Sequence, residues 1–225
     1  MTLLEILKKN ASKAFPVYTE MKPFNTIPLD FSVHNQSLKL VDLTDTAVFN
    51  CYVKGVLAAS GACFGIGGYN EHREIYKRSN LFNENEDKRC IHLGIDVWTK
   101  EGTPIHSPFD AKVHSFKDNN NYGDYGPTLL LEHKLDNYTF FTLYGHLDPE
   151  VLNRFKIGQS IKASEIVGLT GNFPENGNWP PHLHFQLIND LKGAMGDYPG
   201  VCTIKERTSY LQNCPDPSIL FSSCF

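Results

Sequence analysis

A mainly β fold, an antiparallel sheet or sandwich preceded by a mixed α/β N-terminal segment, is what the sequence predicts. Three observations point to it. Between residues 91 and 188, short apolar or alternating segments of strand length recur, separated by turn residues. The chain holds 17 Gly and 13 Pro in 225 residues, enough to punctuate many short elements. Helical spacing is confined to two segments, both before residue 61. The expected organisation is an N-terminal segment over 1–85 packing on a β domain over 86–190, followed by an irregular tail over 191–225.

Composition narrows the classes. With 41% hydrophobic and 20% charged residues the chain is globular. A net charge of −4 and no long basic run argue against a nucleic-acid partner. No apolar run approaches the roughly 18 residues of a membrane span. The start, Met1-Thr2-Leu3-Leu4-Glu5-Ile6-Leu7-Lys8-Lys9, lacks the basic beginning and cleavage site of a signal peptide, so a cytoplasmic location is expected. An exported chain whose signal has been removed is the alternative. The six cysteines (51, 63, 90, 202, 214, 224) show no Cys-x-x-Cys spacing and are expected as reduced, mostly buried thiols.

In chain order, residues 2–15 read as a helix with Leu3, Leu7, Ala11 and Ala14 on one stripe, ending before Pro16. Phe31–Val41 alternates like a strand or hairpin turning near Asn35-Gln36, with His34 a partly exposed strand residue. Thr44 or Asp45 caps a second helix that Gly61 ends. Gly65-Ile66-Gly67-Gly68 fits neither nucleotide fingerprint and reads as a glycine turn. Tyr69–Arg78, dense in charge and aromatic rings, reads by default as a solvated face. Its alternative is a piece beside the mouth of a binding groove on the β domain, where Tyr69, Glu71, His72 and Arg73 read or block the terminus of a bound chain. Asn80–Lys88 is a loop. The predicted strands are Ile91–Val97, Ala111–Phe116, Thr128–His133, Thr139–Leu143, Ile166–Thr170 and His182–Ile188, with Asp136-Asn137 as a hairpin turn.

The chemistry lies in two of these strands. Alternation sets His92, Gly94 and Asp96 on one face of the first. Gly94 leaves room between an imidazole and a carboxylate. In Pro181-His182-Leu183-His184-Phe185 two imidazoles share a face. Three protein ligands plus an open position is how zinc is held in a hydrolase, and the water it binds there ionises near neutral pH. His92, Asp96 and one of His182 and His184 make such a set. The other member of that pair, or His146 in Leu143-Tyr144-Gly145-His146-Leu147, is then available to move protons.

His92-x-Gly94-x-Asp96, Tyr144-Gly145-His146-Leu147 and Pro181-His182-Leu183-His184-Phe185, in this order, resemble the lysostaphin-type zinc endopeptidases of family M23. The resemblance covers roughly residues 89–188. It implies an antiparallel β fold of the duplicated hybrid motif type, with zinc in a groove on His92, Asp96 and His184, and with His146 and His182 as catalytic histidines. It further implies a zinc-dependent endopeptidase or amide hydrolase acting through a metal-activated water on peptidoglycan-type, muropeptide or glycine-containing peptides. Gly123-Asp124-Tyr125-Gly126-Pro127 and Pro174–Pro181 are similar to a cytoplasmic M23-like branch also found fused to kinase-like and class III aminotransferase domains, which implies association with such proteins. The contrasting reading is a non-catalytic, metal-containing groove that binds peptides or a protein partner. His106, His114 and His133 are expected to be structural, His133 as a support for a ligand, and Arg89 a surface or groove charge.

Overall fold

The computed structural model describes residues 1–82 and 87–222; Asn83, Glu84, Asn85 and Glu86 of the expected loop, and Cys224, lie outside the described residues. Its strands are β1 (Thr26–Leu29), β2 (Phe64–Gly67), β3 (Arg89–His92), β4 (Ile95–Trp98), β5 (Pro104–His106), β6 (Ala111–Asn119), β7 (Gly126–Leu135), β8 (Tyr138–Gly145), β9 (Ser160–Ile161), β10 (Ile166–Leu169), β11 (His182–Ile188) and β12 (Val201–Thr203). The helices are α1 (Leu3–Lys9), α2 (Thr46–Ala59), α3 (Val151–Arg154) and α4 (Arg207–Asn213). Eight strands form one sheet in the order β1-β2-β4-β11-β8-β7-β6-β9, parallel at β1–β2 and antiparallel elsewhere; β5 with β10 and β3 with β12 make two antiparallel pairs. The architecture is mainly β and antiparallel.

Local chemistry explains the elements. Asp136 and Asn137 both take positive φ (48° and 64°), the two-residue hairpin turn that joins β7 to β8. Asp45 caps α2, its carboxylate accepting from Ala47 N and Val48 N, and Gly61 (φ 65°) ends it. Thr2 and Glu5 form a capping box on α1, but that helix stops at Lys9 rather than near residue 15. Asn10 leaves the helical conformation and its side chain bonds back to Ile6 O, so a 3₁₀ turn follows.

Four expectations fail here for identifiable reasons. Phe31–Val41 is not a strand: Asp30 and Asn35 side chains capture the Ser32 and Ser37 amides, a 3₁₀ turn runs over Gln36–Leu40, and His34 is exposed in the turn. Gly65–Gly67 lies in β2, a buried strand rather than a turn; a Cβ on Gly65 would stand 2.3 Å from Leu29 Cδ1, so glycine serves close packing. The strand expected over Ile91–Val97 breaks at Leu93-Gly94, where Leu93 N bonds Gly200 O and the chain changes partner, β3 pairing with β12 and β4 with β2 and β11. The tail is not irregular, since it supplies β12 and α4, and Phe221 is buried in the main core. Among the described cysteines none is paired, and only Cys202 and Cys214 are buried; Cys51 and Cys63 are exposed.

The sheet has two unlike faces. On one, Ile95 and Val97, Leu183 and Phe185, Tyr144, and Leu129 and Leu131 pack with Leu3, Leu7, Tyr18 and Phe64 in the largest core. On the other, Leu130, Leu143 and Ile188 form one cluster with the tail. Trp98 forms another with Phe31, Phe49, Tyr76 and Trp179. Between these two clusters, the same face carries Asp96, His182 and His184.

Candidate metal centre

Register builds the centre. Asp96 on β4 is directly opposite His184 on β11, which is in turn opposite Gly145 on β8, and Gly67 on β2 flanks Asp96 from the other side. Two side chains therefore stand in mid-sheet, with a glycine on either side. The glycines are occupied from above. A Cβ on Gly67 would lie 2.7 Å from Arg73 Nη2, and one on Gly145 would lie 2.6 Å from the Tyr125 ring. His92 enters from the end of β3, across the break at Gly94. The space that glycine leaves is filled by the His184 ring, 2.6 Å from where its Cβ would be.

Three donor atoms meet: His92 Nε2 is 3.2 Å from Asp96 Oδ1, His184 Nδ1 is 3.1 Å from the same oxygen, and the two nitrogens are 3.0 Å apart. All three residues are at most 3% exposed. Their tautomers follow from their outer partners. His92 Nδ1 faces the Gly68 carbonyl at 2.9 Å, which can only accept, so the proton is on Nδ1. Gln186 Nε2 donates to Pro199 O, which turns its Oε1 toward His184 Nε2 at 3.0 Å, so that nitrogen carries the proton. Two imidazole lone pairs and a carboxylate oxygen are left facing one another with no proton between them. Such a cluster is repulsive unless a cation stands within it. Its spacing approaches the edge of about 3.4 Å between ligands of a tetrahedral zinc. The residues fit the metal.

Burial works to neutralise Asp96, but the charged surroundings, among them the Arg73 guanidinium on its other oxygen, outweigh it and hold its carboxyl well below the usual carboxylate range. Burial, then Arg73, lowers His92 to about 4.

A cavity opens beside Asp96 and His184, and two further histidines, His146 and His182, border it. His182 follows Pro181 at the start of β11, donates from Nδ1 to Pro180 O at 2.8 Å, and stacks on Trp98, its cross-strand partner, with centroids 4.0 Å apart. His146, just past β8, has φ 62° and donates from Nδ1 to Asn176 O at 2.8 Å. The two rings lie 4.2 Å apart. In both the unprotonated nitrogen is Nε2, and burial lowers both pKa values, that of His182 to about 4 and that of His146 well below its ordinary value. A left-handed backbone at a non-glycine residue is strain of the kind found at working sites.

The Asn176 carbonyl that orients His146 belongs to a turn that only glycine can close. Gly177 has φ 85°, and a Cβ there would stand 1.9 Å from Asp124 O. Gly177→Ala is expected to cost about 2–5 kcal/mol, combining left-handed strain with overpacking. Thermal unfolding measures this, and an unchanged melting temperature would refute it.

All five sequence-predicted residues, His92, Asp96, His146, His182 and His184, stand together. His133 does not support a ligand: it lies on the opposite face of the sheet, bonded to Asp110 O and Thr142 Oγ1. The solvated-face reading of Tyr69–Arg78 is overturned, because Arg73, Ile75 and Tyr76 are buried and border the cavity. Arg78 fastens this wall, its Nη2 bonding Thr46 and Tyr122 while the guanidinium lies 4.6 Å from the Trp179 ring centre. Arg89 also borders the cavity, over the Phe82 ring. Sequence reasoning missed Gln186, the Gly68 carbonyl and Asn176 as orienting groups. Only Gln186 left a signal, two residues after His184 on the same strand face.

Residues 90–195 match the family model of peptidase family M23. An uncharacterized metalloprotease of Buchnera aphidicola is 32% identical over 108 residues, 48% of this chain and 26% of that protein. Endolysin 2638A of Staphylococcus phage 2638A is 30% identical over 121 residues, 53% of this chain and 22% of the endolysin. The crystal structure of a zinc containing peptidase from Vibrio cholerae is 31% identical, covering 44% of this chain and 27% of that one, with a TM-score of 0.34. The chain thus spans about a quarter of the length of the curated relatives it matches.

Proposed function

We propose that this chain is a zinc-dependent peptidase, cleaving an amide bond in peptidoglycan-type or other glycine-containing peptides. The observation that carries this reading is the proton-free convergence of His92 Nε2, Asp96 Oδ1 and His184 Nδ1 beside two histidines whose Nε2 atoms are unprotonated. Those three residues would hold the zinc. Bound there, zinc supplies Lewis-acid polarisation of a carbonyl and a water acidic enough to ionise near neutral pH.

The remaining work falls to the chain. His146 and His182 are neutral, so either can accept a proton at Nε2 and return it to the leaving amine. Trp98 holds the His182 ring in plane, and the Asn176 and Pro180 carbonyls keep both rings in one tautomer. The cavity beside them, about 160 Å³ and walled by Tyr76, Phe82, Tyr125 and Trp179, has little room for large side chains. That supports a substrate of small residues such as glycine, and the match to an endolysin supports a cell-wall peptide.

Metal analysis of the purified chain, with cleavage assays on oligoglycine peptides and muropeptides, tests the reading. His146→Ala and His182→Ala are expected to keep one zinc per chain and lose about 10²- to 10⁴-fold in rate. Near-parental turnover in either variant would remove that residue from the mechanism. A parent chain without zinc would overturn the reading.

A further inference from the structure

The wall segment Tyr69–Arg78 reaches the metal centre through one residue. Arg73 is 2% exposed. Its Nη1 donates to Asp96 Oδ2 and lies 3.5 Å from the Tyr76 hydroxyl, and its Nε donates to Glu71 Oε2. The two oxygens of Asp96 therefore face opposite ways, Oδ1 toward the imidazole lone pairs and Oδ2 toward a guanidinium. The sheet is shaped for this arrangement, since any side chain on Gly67 would collide with Arg73 Nη2.

A carboxylate can bind a metal through one oxygen or through both, and a strong donor on the second oxygen removes the choice. The distinction matters at a catalytic metal, which needs a position left open. A second carboxylate oxygen would take it. Arginine suits the task better than lysine because its planar fork serves Asp96 and Glu71 at once. Glu71 offsets the guanidinium charge, so the cation adds little repulsion to a dication at the centre.

We propose that Arg73 is a positioning residue of the metal centre: by engaging Asp96 Oδ2 it restricts that carboxylate to a single donor oxygen, Oδ1. The inference rests on the metal-centre reading above. It adds a residue that lies outside the matched residues 90–195 and reaches the centre from the N-terminal part of the chain.

Cobalt(II) in place of zinc makes the coordination visible, because zinc is a closed-shell ion with no visible ligand-field bands, whereas cobalt absorbs in the visible and does so more weakly as its coordination number rises. The parent loaded with cobalt is expected to show the strong visible bands of a low-coordinate site. Arg73→Gln is expected to lose much of that intensity, because Asp96 becomes free to bind through both oxygens. Arg73→Lys, which keeps a cation beside Oδ2, is expected to retain the parent spectrum. Circular dichroism establishes that each variant is folded. Should Arg73→Gln fail to fold, the Arg73→Gln/Glu71→Gln double variant removes cation and anion together and is read in the same way. A parent spectrum in the neutral variant overturns the proposal, as does loss of intensity in both the neutral and the Lys variant. A parent that takes up no cobalt and no zinc overturns the metal-centre reading itself.

Discussion

Asp96→Ala is expected to purify without zinc, where the parent is expected to hold one per chain, and to unfold at a markedly lower temperature. Two losses coincide at this position. The substitution removes Oδ1 from the donor set, and it strands Arg73, a buried guanidinium whose charge Asp96 and Glu71 sustain against burial. Removing one partner of a buried ion pair costs about 3–5 kcal/mol. For a chain of 225 residues that is a fall of about 6–20 °C in melting temperature. His184→Ala is expected to lose the metal with a smaller thermal penalty, because it strands no charge. Metal analysis and scanning calorimetry of both variants check this; stoichiometric zinc in Asp96→Ala would refute the ligand assignment.

A chain beginning at Asp87 is expected to aggregate. The missing residues are not a peripheral layer. Leu3, Leu7, Tyr18, Phe64 and Ile66 share the main core with Val97, Leu183 and Phe185, and Phe31, Phe49 and Tyr76 surround Trp98. Each such side chain contributes about 1.5–3 kcal/mol by burial, and together they match or exceed most of the net stability range of about 5–15 kcal/mol that domains possess. Loss of β2 also bares the edge of β4, the strand bearing Asp96, to pairing with other chains. Light scattering and thermal melts of the truncated and full chains decide the matter. A soluble truncation with parental stability and cleavage would show that the N-terminal residues are dispensable.

The two segments bearing His92, Asp96, His182 and His184 were legible because strand alternation is local: side chains two apart share a face whatever the partner. Partner choice is not local. Alternation through Ile91–Val97 could not disclose that the chain leaves β12 for β2 and β11 at Gly94. Nor could it choose between His182 and His184. That difference arises from register, which sets His184 against Asp96 and His182 against Trp98. Arg73 was hidden for the opposite reason. A charged, aromatic stretch has the composition of a solvated surface, and only the fold reveals that its arginine meets a carboxylate 23 residues away on a buried strand. The glycines of β2 misled similarly, because a strand that must admit close neighbours uses the same residue as a turn.

The chain contains two tryptophans, and both lie at this centre. Trp98 stacks on His182 at 4.0 Å, while Trp179 lies edge-on to His146 and His182 with ring centres 6.0 Å away. Indole emission from this protein therefore arises wholly within reach of the two histidines, with no background from elsewhere in the fold. Protonation of either imidazole, or arrival of a peptide against the aromatic wall, alters the quenching of a fluorophore already in position, so the unlabelled chain reports optically on its own centre.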